Sequence, residues 1–119
     1  MAAPNIVGVT TITGKTAVQQ VGTSATAIVT NSAASGKVFK INSLIVSNVD
    51  GTSAADITVD LFRSSTAYEI ASTISVPADA SLVVISKETA IYLEEGDAIR
   101  LTASATGDLE AVCSYEEIS

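Results

Sequence analysis

The sequence predicts an all-β protein: a single antiparallel β-sandwich, for which a jelly roll is a fitting topology, with an extended N-terminal arm or edge strand. Three observations predict it. Apolar residues recur at every second position through most of the chain, the period that places them on one face of a pleated strand. No stretch sustains a 3.6-residue rhythm, and 29 Ser and Thr among 119 residues favour extended backbone over helix. Turn signals separate the runs without room for crossover helices, which points to antiparallel neighbours and about eight or nine strands.

Residues 1–24 mix Thr, Val and Gly with few large side chains. They read either as an arm that docks on a neighbouring subunit or as a first strand, ahead of a sandwich domain over residues 25–119. "KVFKINSLIVSNV" is apolar on both faces toward its end, as is "SLVVISK"; both patterns suit central strands covered on two sides. In "ADITVDLF", Ile57, Val59 and Leu61 share one face while Asp56, Thr58 and Asp60 point the other way. "AYEIASTISV" sets Tyr68, Ile70, Ile74 and Val76 in the same alternation, and "DLEAVCSYEEI" opposes Leu109, Ala111, Cys113 and Tyr115 to Glu110, Ser114 and Glu116. Asp50-Gly51, Pro77, Glu95-Gly96-Asp97 and Gly107-Asp108 mark the turns.

A chain of 119 residues is long enough for one core, and 47% hydrophobic residues are too many for intrinsic disorder. No apolar run approaches the roughly 18 residues of a membrane helix. The start, MAAPNIVGV, has neither the basic region nor the continuous apolar stretch of a secretory signal, so a cytosolic origin is expected. A single cysteine, Cys113, excludes an intramolecular disulfide and a zinc site built on several thiolates. The formal charge of −7 opposes affinity for nucleic-acid phosphates. It also opposes self-association, which must then run through apolar or hydrogen-bonded contacts.

Motifs with chemical content are sparse. "TGKTAV" at 13–18 ends like a phosphate-binding loop, but the required first Gly falls on Val9 and no helical pattern follows Thr16. There is no His to serve as a base, and none of Lys15, Lys37, Lys40 or Lys87 stands in a Ser-x-x-Lys arrangement. Cys113 alternates with apolar neighbours, where a thiol is inert. In "IYLEEGDAIRL", Glu94, Glu95 and Asp97 crowd three carboxylates between two alternating runs. Glycoside hydrolysis would need a proton-tuned pair in a cleft, and calcium about six to eight oxygens. The turn reading accounts for more: Ile91 and Leu93 end a strand, Gly96 turns the chain, and Ile99 and Leu101 resume the alternation. No catalytic, cofactor-binding or metal-ligating residue is assigned.

Several phrases together, "PNIVGVTTITGKTAV", "ASGKVFKINSLIVSNVDG", "VPADASLVVISK", "YLEEGDAIRLTAS" and "VCSYEEIS", resemble a group of small virion structural proteins of tailed bacteriophages, particularly contractile-tailed phages of marine cyanobacteria. The resemblance implies a multi-copy component of the particle, assembled in the host cytoplasm, with capsid decoration, neck and tail as locations and other virion proteins as partners. A homo-oligomer is expected, with a trimer favoured, because a core of Ala, Val and Ile gains less per residue than one rich in Phe and Leu. A carbohydrate-binding module on the phage surface is an alternative, and a hydrolase a third.

Overall fold

Alternating side chains make the strands, and their pairing makes the fold. In the computed structural model, which describes residues 4–119, nine strands follow one another: β1 Ile12–Gln20, β2 Thr26–Thr30, β3 Val38–Asn48, β4 Ala55–Arg63, β5 Thr66–Val76, β6 Ser81–Ile85, β7 Ile91–Leu93, β8 Ala98–Ala103 and β9 Leu109–Ile118. A 3₁₀ turn at Lys87–Thr89 is the helical element among the described residues. None there is long and apolar enough to cross a membrane.

The pairs are nested. A two-residue turn joins β4 to β5; outward from it β3 pairs with β6 and β7, β2 with β8, and β1 with β9, all antiparallel. This is one long hairpin, rolled so that β9 also joins β3 and β8 also joins β4. Two sheets result, β1-β9-β3-β6 with β7 beside β3, and β2-β8-β4-β5. β6 and β7 share one edge of β3 and act as a single strand broken by the 3₁₀ turn. The wiring is that of a jelly roll.

Ile41, Leu44 and Val46 of β3, Ile57 and Val59 of β4, Ile99 and Leu101 of β8, and Cys113 of β9 meet between the sheets and are fully buried. Phe39 and Tyr115 stack at one end with ring centroids 5.5 Å apart. Ile41 and Leu44 are three residues apart, so strict alternation would send one of them outward. A bulge between Ile41 and Ser43 shifts the phase and keeps both inside.

Two strands depart from the expectation of the sequence. β6, "SLVVI", is an edge strand rather than a central one: only β3 flanks it, and Val83 is 57% exposed. An apolar outer face looks the same in sequence whether it is buried by its own chain or left open. β5 is also an edge, and its apolar residues do not form one simple row. Tyr68 pairs with Leu61, Ala71 with Val59 and Ile74 with Ile57, while register shifts on both sides of Val59 displace Ile70. Thr73 adopts φ 45°, and Val76 alone among the residues of β5 is fully buried.

The N-terminal segment supplies edge strand β1, whose nine residues pair without interruption with β9. Ahead of it, the N–H groups of Thr10 and Thr11 donate to the Ser119 carbonyl and Ser119 N–H returns a bond to Thr11. The first three residues of the expected arm lie outside the described residues.

Leu44→Ala should cost about 2–5 kcal/mol of stability, as buried leucines do when a cavity is left, read from urea midpoints. The β4–β5 turn holds Ser64 at φ 52° and Ser65 at φ 61°, the left-handed region that such hairpin turns require and that Asn-Gly adopts more easily. S64N/S65G should therefore raise stability by about 1 kcal/mol.

Candidate functional site: the carboxylate turn between β7 and β8

The turn that follows β7 brings Glu94, Glu95 and Asp97 together in sequence and then sends their side chains to different tasks. Asp97 is 2% exposed. Its Oδ1 accepts from Arg63 Nε at 2.8 Å, and its Oδ2 accepts from both Arg63 Nη2 and the Glu94 N–H. Glu94 lies outside this pocket and meets Arg63 Nη2 at 2.9 Å. Glu95 turns the other way and accepts the Gly36 N–H at 2.9 Å. Gly96 permits the bend with φ 90°.

Beneath the turn, Asn31 is fully buried and joins three segments. Its Nδ2 donates to the carbonyls of Lys37 and Leu93, its Oδ1 accepts from Ser35 Oγ, and its backbone exchanges bonds with Asp97 and Gly96. The turn thus ties the end of β4, the β2–β3 loop and the β7–β8 connection into one unit.

Electrostatics follow from these contacts. Burial alone would push the Asp97 carboxyl up, but hydrogen bonds from Arg63 and from the Glu94 N–H, with the charge of Arg63, outweigh it and hold the group below the usual carboxylate range. The Arg63 guanidinium is raised in turn, chiefly by its bond to Asp97. A carboxylate whose lone pairs already face a guanidinium and a backbone amide has little left for a cation or a substrate proton. Among the described residues no three His, Cys, Asp or Glu side chains gather as a metal site would require. The arrangement is a structural clasp.

The other candidates are placed apart. Thr13–Val18 of the phosphate-loop-like phrase lie within β1, and Lys15 Nζ bridges to Glu117 at 2.9 Å, with Lys37 on the other oxygen at 3.1 Å. The bond from Lys15 is the main cause that holds Glu117 below its ordinary value. Cys113 sits in the core, where burial pushes its thiol up to about 11, so little nucleophilic thiolate forms at neutral pH. Of the exposed aromatics, Tyr68 stands on the four-stranded sheet and Tyr92 on the five-stranded one.

Sequence reasoning did not anticipate Arg63 or Asn31, whose partners lie 34 and 62 residues away. Nor did it anticipate the fate of Asp60, which faces away from the core yet is 4% exposed, because Arg100 closes over it with bonds of 2.9 and 3.2 Å while stacking 3.9 Å above Phe62. The only available signal was an isolated Arg at each of two strand positions.

No family model matches the chain, and no curated protein does. Among solved structures the chain is similar to a Bacillus protein described under "Bacillus endospore appendages form a novel family of disulfide-linked pili", at 14% identity and a TM-score of 0.55, over 100% of this chain and 96% of that one. At that identity the likeness supports the sandwich fold.

Because the folded pKa of Asp97 is depressed, its contribution to stability is complete above the unfolded value of about 3.9 and is lost as pH falls through the lower folded value. D97N should cost about 2 kcal/mol near neutrality, from charged hydrogen bonds lost in a buried site. It should also flatten the acid limb of a melting-temperature-versus-pH curve. Calcium should leave the wild-type melting temperature in place; a large rise that D97N abolishes would restore the cation-site reading.

Proposed function

We propose that this protein is a non-enzymatic structural component of a tailed-bacteriophage virion, acting as many copies of a self-associating β-sandwich that decorate or reinforce the capsid. One observation carries the reading. Charged side chains are occupied in internal clasps, the buried Asp97 with Arg63, the buried Asp60 with Arg100, and the partly buried Glu117 with Lys15 and Lys37. Large apolar side chains meanwhile remain outside, among them Val7 at 92%, Val18 at 75% and Tyr68 at 59% exposed. A surface of that kind offers contact area rather than chemistry.

Open sheet edges add to it. β1 and β5 are edge strands of nine and eleven residues, and an unpaired edge is a template for another chain. Bound copies stabilise a particle by mass action, as any ligand selective for the assembled state does. The homotrimer expected from composition belongs to this proposal.

A neck, collar or tail component is the second reading, favoured by the fold shared with a pilus protein, since the same sandwich serves an extended assembly there. A disulfide link of the kind named for that pilus has no counterpart here, because the single Cys113 is fully buried. A carbohydrate-binding module would instead use exposed Tyr68 or Tyr92, and silence on a glycan array would remove it.

Light scattering on purified protein should find a stable homo-oligomer at micromolar concentration, and a cryo-electron-microscopy map of the particle should contain repeated copies of the sandwich. A monomer that stays off the particle would overturn the proposal. Deletion of residues 1–9, which precede the bonds of Thr10 and Thr11 to Ser119, should leave melting unchanged and lower occupancy on the particle.

A further inference from the structure

We propose that the outer face of the five-stranded sheet is the contact between two copies of this chain, packed sheet against sheet across a two-fold axis that runs parallel to the strands. The inference rests on the reading of the protein as a self-associating structural component and names the surface that carries the association.

The register of the sheet places one apolar residue from each main strand on a single transverse line. Val18 of β1 pairs with Val112 of β9, Val112 with Ile45 of β3, and Ile45 with Val83 of β6. All four point away from the core, with exposures of 75, 44, 37 and 57% in that order. Four β-branched side chains, stiff at χ1, thus form a ridge across the width of the sheet. Their sequence neighbours on the other face, among them Leu44, Val46, Ala111 and Cys113, are buried, so the ridge is not a spill-over of the core. It is a second apolar surface.

The surroundings suit a like-charged partner. On one side of the ridge the next row reads Gln20, Glu110, Ser47 and Ser81, and on the other Thr16, Ser114 and Ser43. Glu110 is the single ionisable group in the three rows, on a chain of formal charge −7. Two copies therefore meet here with little repulsion, whereas the carboxylates of the β7–β8 turn would oppose approach at that end.

The line is also self-complementary, as a two-fold contact demands. An axis parallel to the strands through the centre of the ridge sets Val112 of one copy against Ile45 of the other and Val18 against Val83. It sets Glu110 against Ser47, so that no carboxylate faces its twin. A depression of about 360 Å³ lies beside Val18 and Val112, lined by β1 and β9 residues alone, and the same operation brings the projecting Val83 of the second copy over it. The whole outer face extends past these three rows to Glu116 and Lys40, which pair in the sheet and which the axis sets against each other across the two copies; with ten residues in β9, strands rising about 3.3 Å per residue and spaced about 4.8 Å apart make a face of roughly 600 Å² in projection. Side-chain relief raises that toward the approximately 800 Å² per partner of a standard interface.

The test compares masses by light scattering for the full chain, for I45K, for V112E and for a mixture of the two variants, with melting followed by circular dichroism. The facing pair V18K and V83E, at more exposed positions, stands in if either variant fails to fold, and V7E, ahead of β1 and outside the three rows, is the control. The expected result is an even-numbered wild-type oligomer, which for the homotrimer of the proposed function means two trimers joined face to face, a twofold lower mass for I45K and for V112E, recovery of the wild-type mass on mixing, and no change for V7E. Recovery is specific to the stated axis, which puts the ammonium introduced by I45K in one copy against the carboxylate introduced by V112E in the other. Folded variants that keep the wild-type mass overturn the inference and leave the assembly reading standing, as does a wild-type trimer, in which a two-fold face stays unpaired. Dissociation without recovery on mixing overturns the two-fold arrangement, and a wild-type monomer removes the inference and the assembly reading together.

Discussion

The rest of the structure depends on the ladder between β9 and its two neighbours. β9 is the last strand of the chain, yet it lies between β1, the first, and β3. Without it the five-stranded sheet has no centre, the core loses Leu109, Ala111 and Cys113, and the nested hairpin stays unrolled. Such pairing joins residues about a hundred positions apart, which costs loop-closure entropy before any contact forms. The core that offsets this cost is made mostly of Ile, Leu and Val, held by two sheets that bury their alternate residues against each other.

Charge is used with economy in this frame. The two buried carboxylates, Asp60 and Asp97, are each closed by an Arg, and the partly buried Glu95 accepts a backbone donor; each ties elements that are distant in sequence. Desolvation makes an unpaired buried charge costly, so these clasps fix geometry more than they add net stability. The consequence falls on the outside. With Arg63, Arg100, Lys15 and Lys37 engaged at the ends and faces where their partners lie, the outer face of the five-stranded sheet is left with few charges, Glu110 and the paired Lys40 and Glu116, among Ser, Thr, Val and Ile.

The candidate site shows how far reading the chain can go. That Gly96 bends the chain with carboxylates around it was legible, because a glycine between two alternating runs has few other uses. That Asp97 would be buried was not, since its burial depends on Arg63, which approaches across 34 residues of sequence. "DLEAVCSYEEI" was legible for its buried residues because β9 is covered on one face along its length, so the period of two survives. "AYEIASTISV" was less so, because β5 is bulged around Ala71 and Thr73 and each bulge resets the alternation.

The sequence by itself determined the class: a two-residue apolar rhythm, frequent turn residues and no helical period leave antiparallel sheets as the way to bury these side chains. It also determined that Cys113 is a core residue and that Glu94, Glu95 and Asp97 sit at a turn. Only the tertiary structure decided which strands are edges, where bulges shift the phase, and which of two apolar faces is turned inward. The physical reason is that periodicity reports which residues share a face, whereas burial depends on what lies opposite. Val18, Ile45, Val83 and Val112 read as ordinary strand residues until register aligns them on one exposed line.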